Sequence, residues 1–189
     1  MKKTILVLLI TLILTGCSVG GKKDYTDKVQ QYQSYYETVL DQDKFKKSSD
    51  FFNIEAKIDQ SDKEYFYEVV INEPQIAMYD VKVLIVENKE NYSNEVMQPT
   101  VGIFESQSYN LIPGQVNQDK GFMNGIQLLK DIKEPNVQLQ IIVSFTDYRK
   151  LETFQEFIEF DLKYEDDKKE EQKEEESKED ASEEKEDKA

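Results

Sequence analysis

The sequence contains no His and no Trp, and Cys17 is its single cysteine among 189 residues. Without His there is no Ser-His-Asp triad, no imidazole base that titrates near neutral pH and no His ligand for a metal. One cysteine allows no internal disulfide and no zinc site built from thiolates. These absences exclude several enzyme classes and require a hydrophobic core to hold the fold without covalent cross-links.

Basic residues are also in deficit. The chain has 24 Lys and Arg against 39 Asp and Glu, which gives a net charge of −15. Binding to nucleic acid needs clustered Lys and Arg, so this balance argues against such a partner. It also argues against an electrostatic hold on anionic lipid headgroups. The chain has 11 Tyr and 10 Phe, enough to build the core of one domain with appendages.

The N-terminus carries a short apolar run. Lys2 and Lys3 precede residues 5–14, which are apolar except for one Thr. A run of this length is too short to cross the ~30 Å hydrocarbon core of a bilayer as a permanent helix. A positive start followed by a run of this length is typical of a secretory signal peptide.

The run ends in Leu14-Thr15-Gly16-Cys17, which resembles the lipobox of bacterial lipoprotein precursors. The resemblance implies a signal peptide over residues 1–16, cleaved between Gly16 and Cys17. It further implies that Cys17 carries a diacylglyceryl group and anchors the mature protein to a membrane. The alternative is an ordinary secretory signal with an unrelated cysteine.

A helix is predicted after the anchor. Residues 17–24 are small and polar and indicate a tether, and residues 25–49 are predicted to be a helical segment. The apolar residues Val29, Tyr32, Tyr36, Val39 and Leu40 fall on one face of such a helix. We expect this face to pack on the main domain. A partner-binding or membrane-lying helix is the alternative, although its polar face is not basic.

The pattern changes to a period of two from residue 50 onward. Apolar residues alternate with polar ones around positions 54, 69, 83, 128, 141 and 158. Seven or eight strands without helices between them predict a mainly β domain over residues 50–164, an antiparallel sandwich or barrel. The paired cysteines and core Trp of immunoglobulin domains are missing, so an immunoglobulin-like sandwich rests on strand number alone.

Two long loops have a composition that suits recognition. Residues 88–99 and 113–121 contain Asn, Gln, Ser and Tyr92. The second loop opens with Pro113-Gly114, which predicts a tight turn.

The C-terminal residues 165–189 hold 14 acidic residues and 6 Lys with no apolar residue except Ala. Like charges four residues apart outnumber favourable pairs, so a disordered acidic tail is predicted.

Few residues indicate chemistry. Asp59, Asp62 and Glu64 are the nearest approach to an oxygen-ligand calcium site, but they lack the spacing and the central Gly of an EF-hand loop. A solvated acidic turn is the preferred interpretation, so no metal and no cofactor is predicted. There is no glycine-rich phosphate loop.

The middle of the chain resembles uncharacterised small lipoproteins of Gram-positive bacteria. The resemblance spans residues 65–160 and rests on Ala77-Met78-Tyr79-Asp80-Val81, Val101-Gly102-Ile103-Phe104-Glu105 and Asn124-Gly125-Ile126. It implies a location in a Gram-positive envelope and no particular activity.

Together these features predict a lipid-anchored, extracytoplasmic module that binds a ligand or a partner and catalyses nothing. One alternative is an envelope hydrolase that acts on glycans with a carboxylate pair. Another is a passive accessory subunit of a transport, secretion or mobile-element exclusion system. The predicted partners are the membrane, through the lipid, and an envelope protein or surface ligand.

Overall fold

A computed structural model describes residues 19–165 of the chain, with side chains from residue 24 onward. It contains one helix, α1 (Val19–Leu40). The strands of the described part are β1 (Asn53–Ser61), β2 (Glu64–Asn72), β3 (Tyr79–Glu87), β4 (Thr100–Val101), β5 (Gly125–Ile132), β6 (Asn136–Thr146) and β7 (Thr153–Lys163). The predicted signal peptide, Cys17 and the predicted tail from residue 166 lie outside the described residues.

The strands form two antiparallel sheets, which confirms the predicted sandwich. One sheet has the order β1-β2-β5 and the other has the order β4-β3-β6-β7. Immunoglobulin domains group strands A, B and E in one sheet and strands C, F and G in the other. The same grouping occurs here: β1, β2 and β5 correspond to A, B and E, and β3, β6 and β7 correspond to C, F and G. The short β4 pairs with β3.

The core lies between the two sheets. Its buried side chains come from alternate positions of every long strand, as the period-two pattern predicted. Among them are Ile54, Tyr67, Val69, Ile71, Val83, Ile85, Ile126, Leu128, Leu139, Ile141, Val143 and Ile158. Phe145 lies near one end of this core and stacks on Phe154, with their ring centroids 5.2 Å apart.

Helix α1 packs on the outer face of the four-stranded sheet, as predicted. Tyr32, Tyr36 and Val39 are buried there in a second cluster. The sheet contributes Leu84, Val86 and Ile142 to that cluster. The centres of strands β3 and β6 are therefore buried on both faces, which explains the uninterrupted apolar runs over residues 83–86 and 141–143.

The helix bounds differ from the prediction. The helix begins at Val19, so most of the predicted tether over residues 17–24 is helical, and it ends at Leu40 rather than at residue 49. The spacing of apolar residues reveals only those helical turns that pack on another element. Backbone hydrogen bonds can extend the helix beyond the turns that make this contact. The segment after Leu40 instead covers the edge of β7. The Lys46 backbone N–H donates to the Phe157 carbonyl at 2.9 Å, and the Glu159 N–H donates to the Lys46 carbonyl at 3.0 Å.

The β1–β2 hairpin turns through Asp62 and Lys63, which have φ values of 49° and 75°. Two central residues in the left-handed region define a type I′ turn, which usually contains Asn-Gly. The same conformation costs about 1–2 kcal/mol for a residue that carries a Cβ.

We expect Lys63→Gly to stabilise the domain, because glycine adopts positive φ without steric cost. Part of the gain is lost to the larger entropy of glycine in the unfolded chain, so the free energy of unfolding should rise by up to about 1 kcal/mol. Urea unfolding of the soluble chain from Ser18 measures it. Lys57→Gly, inside β1, is the matched control and should lower stability. A lowered unfolding midpoint for Lys63→Gly would contradict the turn assignment.

Candidate functional site

Three connections meet at one end of the sandwich. The paired residues Asn72 and Gly125 mark the end of β2 and the start of β5. Tyr79, at the start of β3, pairs with Thr146, at the end of β6. The β2–β3 loop (residues 73–78), the β4–β5 segment (residues 102–124) and the β6–β7 loop (residues 147–152) therefore leave the same end, which we call the loop end.

A groove of about 540 Å³ opens at the loop end, between the β2–β3 loop and the β4–β5 segment. Its walls are residues 72–75, 112–116, 123 and 124. Four of these are amides: Asn72, Gln75, Gln115 and Asn124. Each amide offers both donors and an acceptor. The groove is thus suited to a ligand with many hydrogen-bonding groups.

Apolar side chains form the rest of the groove. Ile112 is buried, Met123 is half-buried, and Val116 stays 59 % exposed. Within the described part of the chain, the side-chain amides of Gln115 and Asn124 make no hydrogen bond to another protein group. Their donors and acceptors remain available to a ligand.

Asn110 holds the β4–β5 segment in place from within. Its side chain is buried, and its Oδ1 accepts a hydrogen bond from the Asp80 N–H at 3.1 Å. Its Nδ2 donates to the Gly121 carbonyl at 3.2 Å. Backbone hydrogen bonds between Met78 and Leu111 tie the same segment to the β2–β3 loop. The walls of the groove are therefore fixed before any ligand arrives.

Two glycines give this segment its shape. Gly114 has φ of 70° in the turn that Pro113-Gly114 predicted, and the Gln115 N–H donates to the Ile112 carbonyl at 3.1 Å. Gly121 also has positive φ, and a Cβ there would lie 2.3 Å from the Ser108 carbonyl oxygen. A side chain at Gly121 would push the backbone at residues 108 and 121 apart.

The loop over residues 88–99, whose composition suits recognition, also contacts helix α1. The Gln98 N–H donates to the Tyr32 hydroxyl at 2.8 Å, and the Tyr36 hydroxyl donates to the Glu90 carbonyl at 3.0 Å. The Tyr92 ring packs edge-on against Tyr36. Tyr92 and Gln98 of this loop thus fasten helix α1 to the sandwich.

A buried polar network lies under that loop. The Tyr67 hydroxyl donates to Glu87 at 2.6 Å, and the Lys130 ammonium donates to the other Glu87 oxygen at 2.7 Å. Lys130 also donates to the Gln98 side chain at 3.1 Å. Burial raises the pKa of the Tyr67 phenol far above its ordinary value, so it remains a neutral donor. Sequence reasoning missed this network because its members come from separate strands.

Asp59, Asp62 and Glu64 lie at the β1–β2 hairpin, at the opposite end from the groove, and their side chains are exposed. Among residues 24–165, no group of three or more Cys, Asp or Glu side chains is placed to hold a metal ion. The structure therefore brings no ligand set together at the one place where the sequence offered one.

We expect calcium to leave the stability of the domain unchanged. Thermal melts of the soluble chain from Ser18, first with chelator and then with excess calcium, should superimpose. A site filled at one hundred times its Kd would stabilise the fold by ~2.7 kcal/mol, a clear rise in melting temperature. Such a rise, abolished by Asp62→Asn, would contradict the prediction and identify a metal site at the hairpin.

The comparisons with known proteins identify the N-terminus alone. The family described as prokaryotic membrane lipoprotein lipid attachment site matches residues 1–18. This match confirms the lipobox and indicates a lipid-anchored protein. No curated protein and no solved structure matches the chain. Within the described residues, no helix is both long and apolar enough to cross a membrane.

Proposed function

We propose that this protein is a non-catalytic binding module of the cell envelope, held by its lipid on the outer face of the cytoplasmic membrane. Residues 65–160 resemble small lipoproteins of Gram-positive bacteria, and this resemblance supports a location in a Gram-positive cell envelope. The observation that carries the proposal is the groove at the loop end, lined by amide side chains on an ordered segment. Its ligand is a polar chain without net negative charge, such as the peptide or glycan part of the cell wall.

The charge of the protein supports a neutral ligand. The chain carries a net charge of −15, and Glu73 adds a carboxylate to the groove wall. Like charges juxtaposed across an interface disfavour a partner, so anionic polymers of the envelope are poor candidates. Amide side chains pair well with the hydroxyls of sugars and with peptide groups.

The length and order of the β4–β5 segment support binding. Connections longer than about 12–15 residues without regular structure are uncommon in compact domains and usually serve a function. This one spans residues 102–124 and contains only a short 3₁₀ turn, Gln118–Lys120. Because Asn110 fixes it, the groove loses little conformational freedom on binding, which favours affinity.

The carboxyl groups support a non-catalytic role. Glu73 is the one carboxylate in the described lining of the groove, whereas glycoside hydrolysis needs two. A general acid also needs a raised pKa. Two carboxyl groups lie outside the groove, at the base of the neighbouring β6–β7 loop. The Lys150 ammonium lowers the pKa of Asp80, and the backbone N–H groups of Glu152 and Leu151 lower the pKa of Asp147. These carboxyls are held in their charged form.

Titration with soluble cell-wall fragments tests the proposal. Amide NMR of the chain from Ser18 should show shifts confined to the N–H groups of the groove, which are those of residues 72, 73, 75, 112, 114–116, 123 and 124. Gln115→Ala with Asn124→Ala should weaken binding, and Gln127→Ala, on the outer face of β5, should not. Separate glycan and stem-peptide fragments identify the part that binds. Shifts outside the groove, or appearance of cleaved fragments, would overturn the proposal.

A further inference from the structure

The β6–β7 loop carries two unusually exposed apolar side chains. Tyr148 is 78 % exposed and Leu151 is 77 % exposed, the highest values among the large hydrophobic residues of the described chain. They are three positions apart on one hairpin tip, which we define as residues 147–152. Apolar groups concentrated on a protruding loop indicate a surface that meets a partner or a membrane.

The tip is braced, so this exposure is built into the fold. The Asp147 carboxylate accepts hydrogen bonds from the Leu151 N–H at 2.8 Å and from the Glu152 N–H at 3.1 Å. The Lys150 N–H donates to the Asp147 carbonyl at 3.0 Å. The Tyr148 ring also packs edge-on against Tyr79, with centroids 5.7 Å apart. Presenting these side chains therefore requires little ordering of the loop on contact.

A basic group lies between the two apolar ones. Arg149 is the single arginine of the sequence; its charge acts on the nearby Asp147 carboxylate, and its guanidinium makes no salt bridge within the described residues. Its neighbour Lys150 pairs with Asp80 at 2.6 Å. A guanidinium can bind phosphate oxygens in a bidentate way. The boundary between lipid headgroups and acyl chains favours aromatic residues such as Tyr together with apolar and basic residues such as Leu and Arg.

The lipid anchor places a membrane within reach. Cys17 lies two residues before Val19, the start of α1, and α1 covers the same sheet that carries the tip. The hydroxyls of Tyr35, on α1, and Ser144, near the end of β6, are 3.3 Å apart. Tyr35 is about 24 Å along the helix from Val19. Helix α1 thus connects the lipid anchor to the sheet that carries the tip.

We propose that the tip is a second membrane contact. Tyr148 and Leu151 enter the boundary region of the bilayer, and Arg149 binds a lipid phosphate. The net charge of −15 on the whole chain opposes broad contact with an anionic surface, so the contact stays local. A lipid at one point leaves the domain free to rotate, and a second contact fixes its orientation. The groove opens at the same end of the sandwich, beside the other sheet, so this contact also holds the groove close to the membrane surface.

Fluorescence of single-tryptophan variants tests the proposal directly, since the chain has no native Trp. The full lipidated protein carrying Tyr148→Trp is reconstituted in vesicles of phosphatidylglycerol and phosphatidylcholine. Leu129→Trp is the control, because Leu129 is 57 % exposed on the outer face of the other sheet. Leu151→Trp repeats the measurement at the second apolar position of the tip.

The expected result separates the two locations. Emission from Y148W and L151W shifts to the blue, is quenched by brominated lipids and is protected from aqueous acrylamide, whereas L129W does none of these. Adding Arg149→Gln reduces the lipid quenching of Y148W. Equal acrylamide quenching of Y148W and L129W in vesicles would overturn the proposal. So would protection of Y148W that appears only in intact cells, since that result identifies a protein partner.

Discussion

We expect Cys17→Ala to abolish incorporation of labelled fatty acid and to move any protein of mature size out of the detergent phase. Burial of each CH₂ group of a lipid contributes ~0.8 kcal/mol, and two acyl chains hold a protein stably where one holds it reversibly. Loss of the thiol removes both chains at once. The mature domain should therefore shift almost completely out of the membrane fraction, which phase partitioning of fractionated cells measures.

The size of the product must be read together with its location. A variant that keeps residues 1–16 remains in the membrane through its uncleaved signal peptide, so the apparent mass distinguishes release from failed processing. Ser18→Ala is the control and should be lipidated and cleaved normally. Fatty-acid labelling of C17A at the level of the native sequence would show that Cys17 is not the attachment residue.

Val39→Asp detaches helix α1 from the sandwich. Val39 is fully buried in the cluster with Leu84, Val86 and Ile142. A carboxylate there has no partner, and an uncompensated buried charge costs about 3–5 kcal/mol. The expected result is a fall of that size in the free energy of unfolding, with loss of amide-exchange protection over residues 24–40. Urea unfolding and hydrogen exchange measure the two effects.

Gln31→Asp provides the matched control, because Gln31 is exposed on the same helix. It introduces the same carboxylate and should change stability by no more than about 0.5 kcal/mol. A similar loss for both variants would show that helix propensity, not packing on the sheet, determines the effect. Since α1 joins the lipid to the sandwich, V39D should also give the domain freedom to move relative to the membrane.

The local pattern of apolar and polar residues predicted most of the fold. In β1, Ile54, Ala56 and Ile58 alternate with polar residues, and the structure turns them toward the core. The same argument placed Tyr32 and Tyr36 on one face of a helix. These predictions succeeded because the side-chain periods of strands and helices are fixed by backbone geometry.

The errors arose where contacts over long sequence separations decide the structure. The helix does not continue through residues 41–49, because Lys46 pairs with the edge of β7. Its partner there, Ile158, lies more than one hundred positions further along the chain. In the loop over residues 88–99, the backbone groups of Gln98 and Glu90 bond to Tyr32 and Tyr36 of the distant helix. No local signal distinguishes an available amide from one that a distant helix will use.

The sequence by itself determined the lipid anchor, the β class of the domain and the helix that packs on it. Cleavage and lipidation act on a short N-terminal sequence motif, and strand and helix periods are local, so neither requires a tertiary contact. Only the tertiary structure decided which groups are free to bind. Asn110 holds the groove open across the β4–β5 segment, while Glu87 and Lys130 pair inside the domain although 43 positions separate them. Residues 147–152 protrude with their apolar side chains uncovered. Burial and availability are properties of the packed chain, because each depends on what the rest of the fold places alongside a residue.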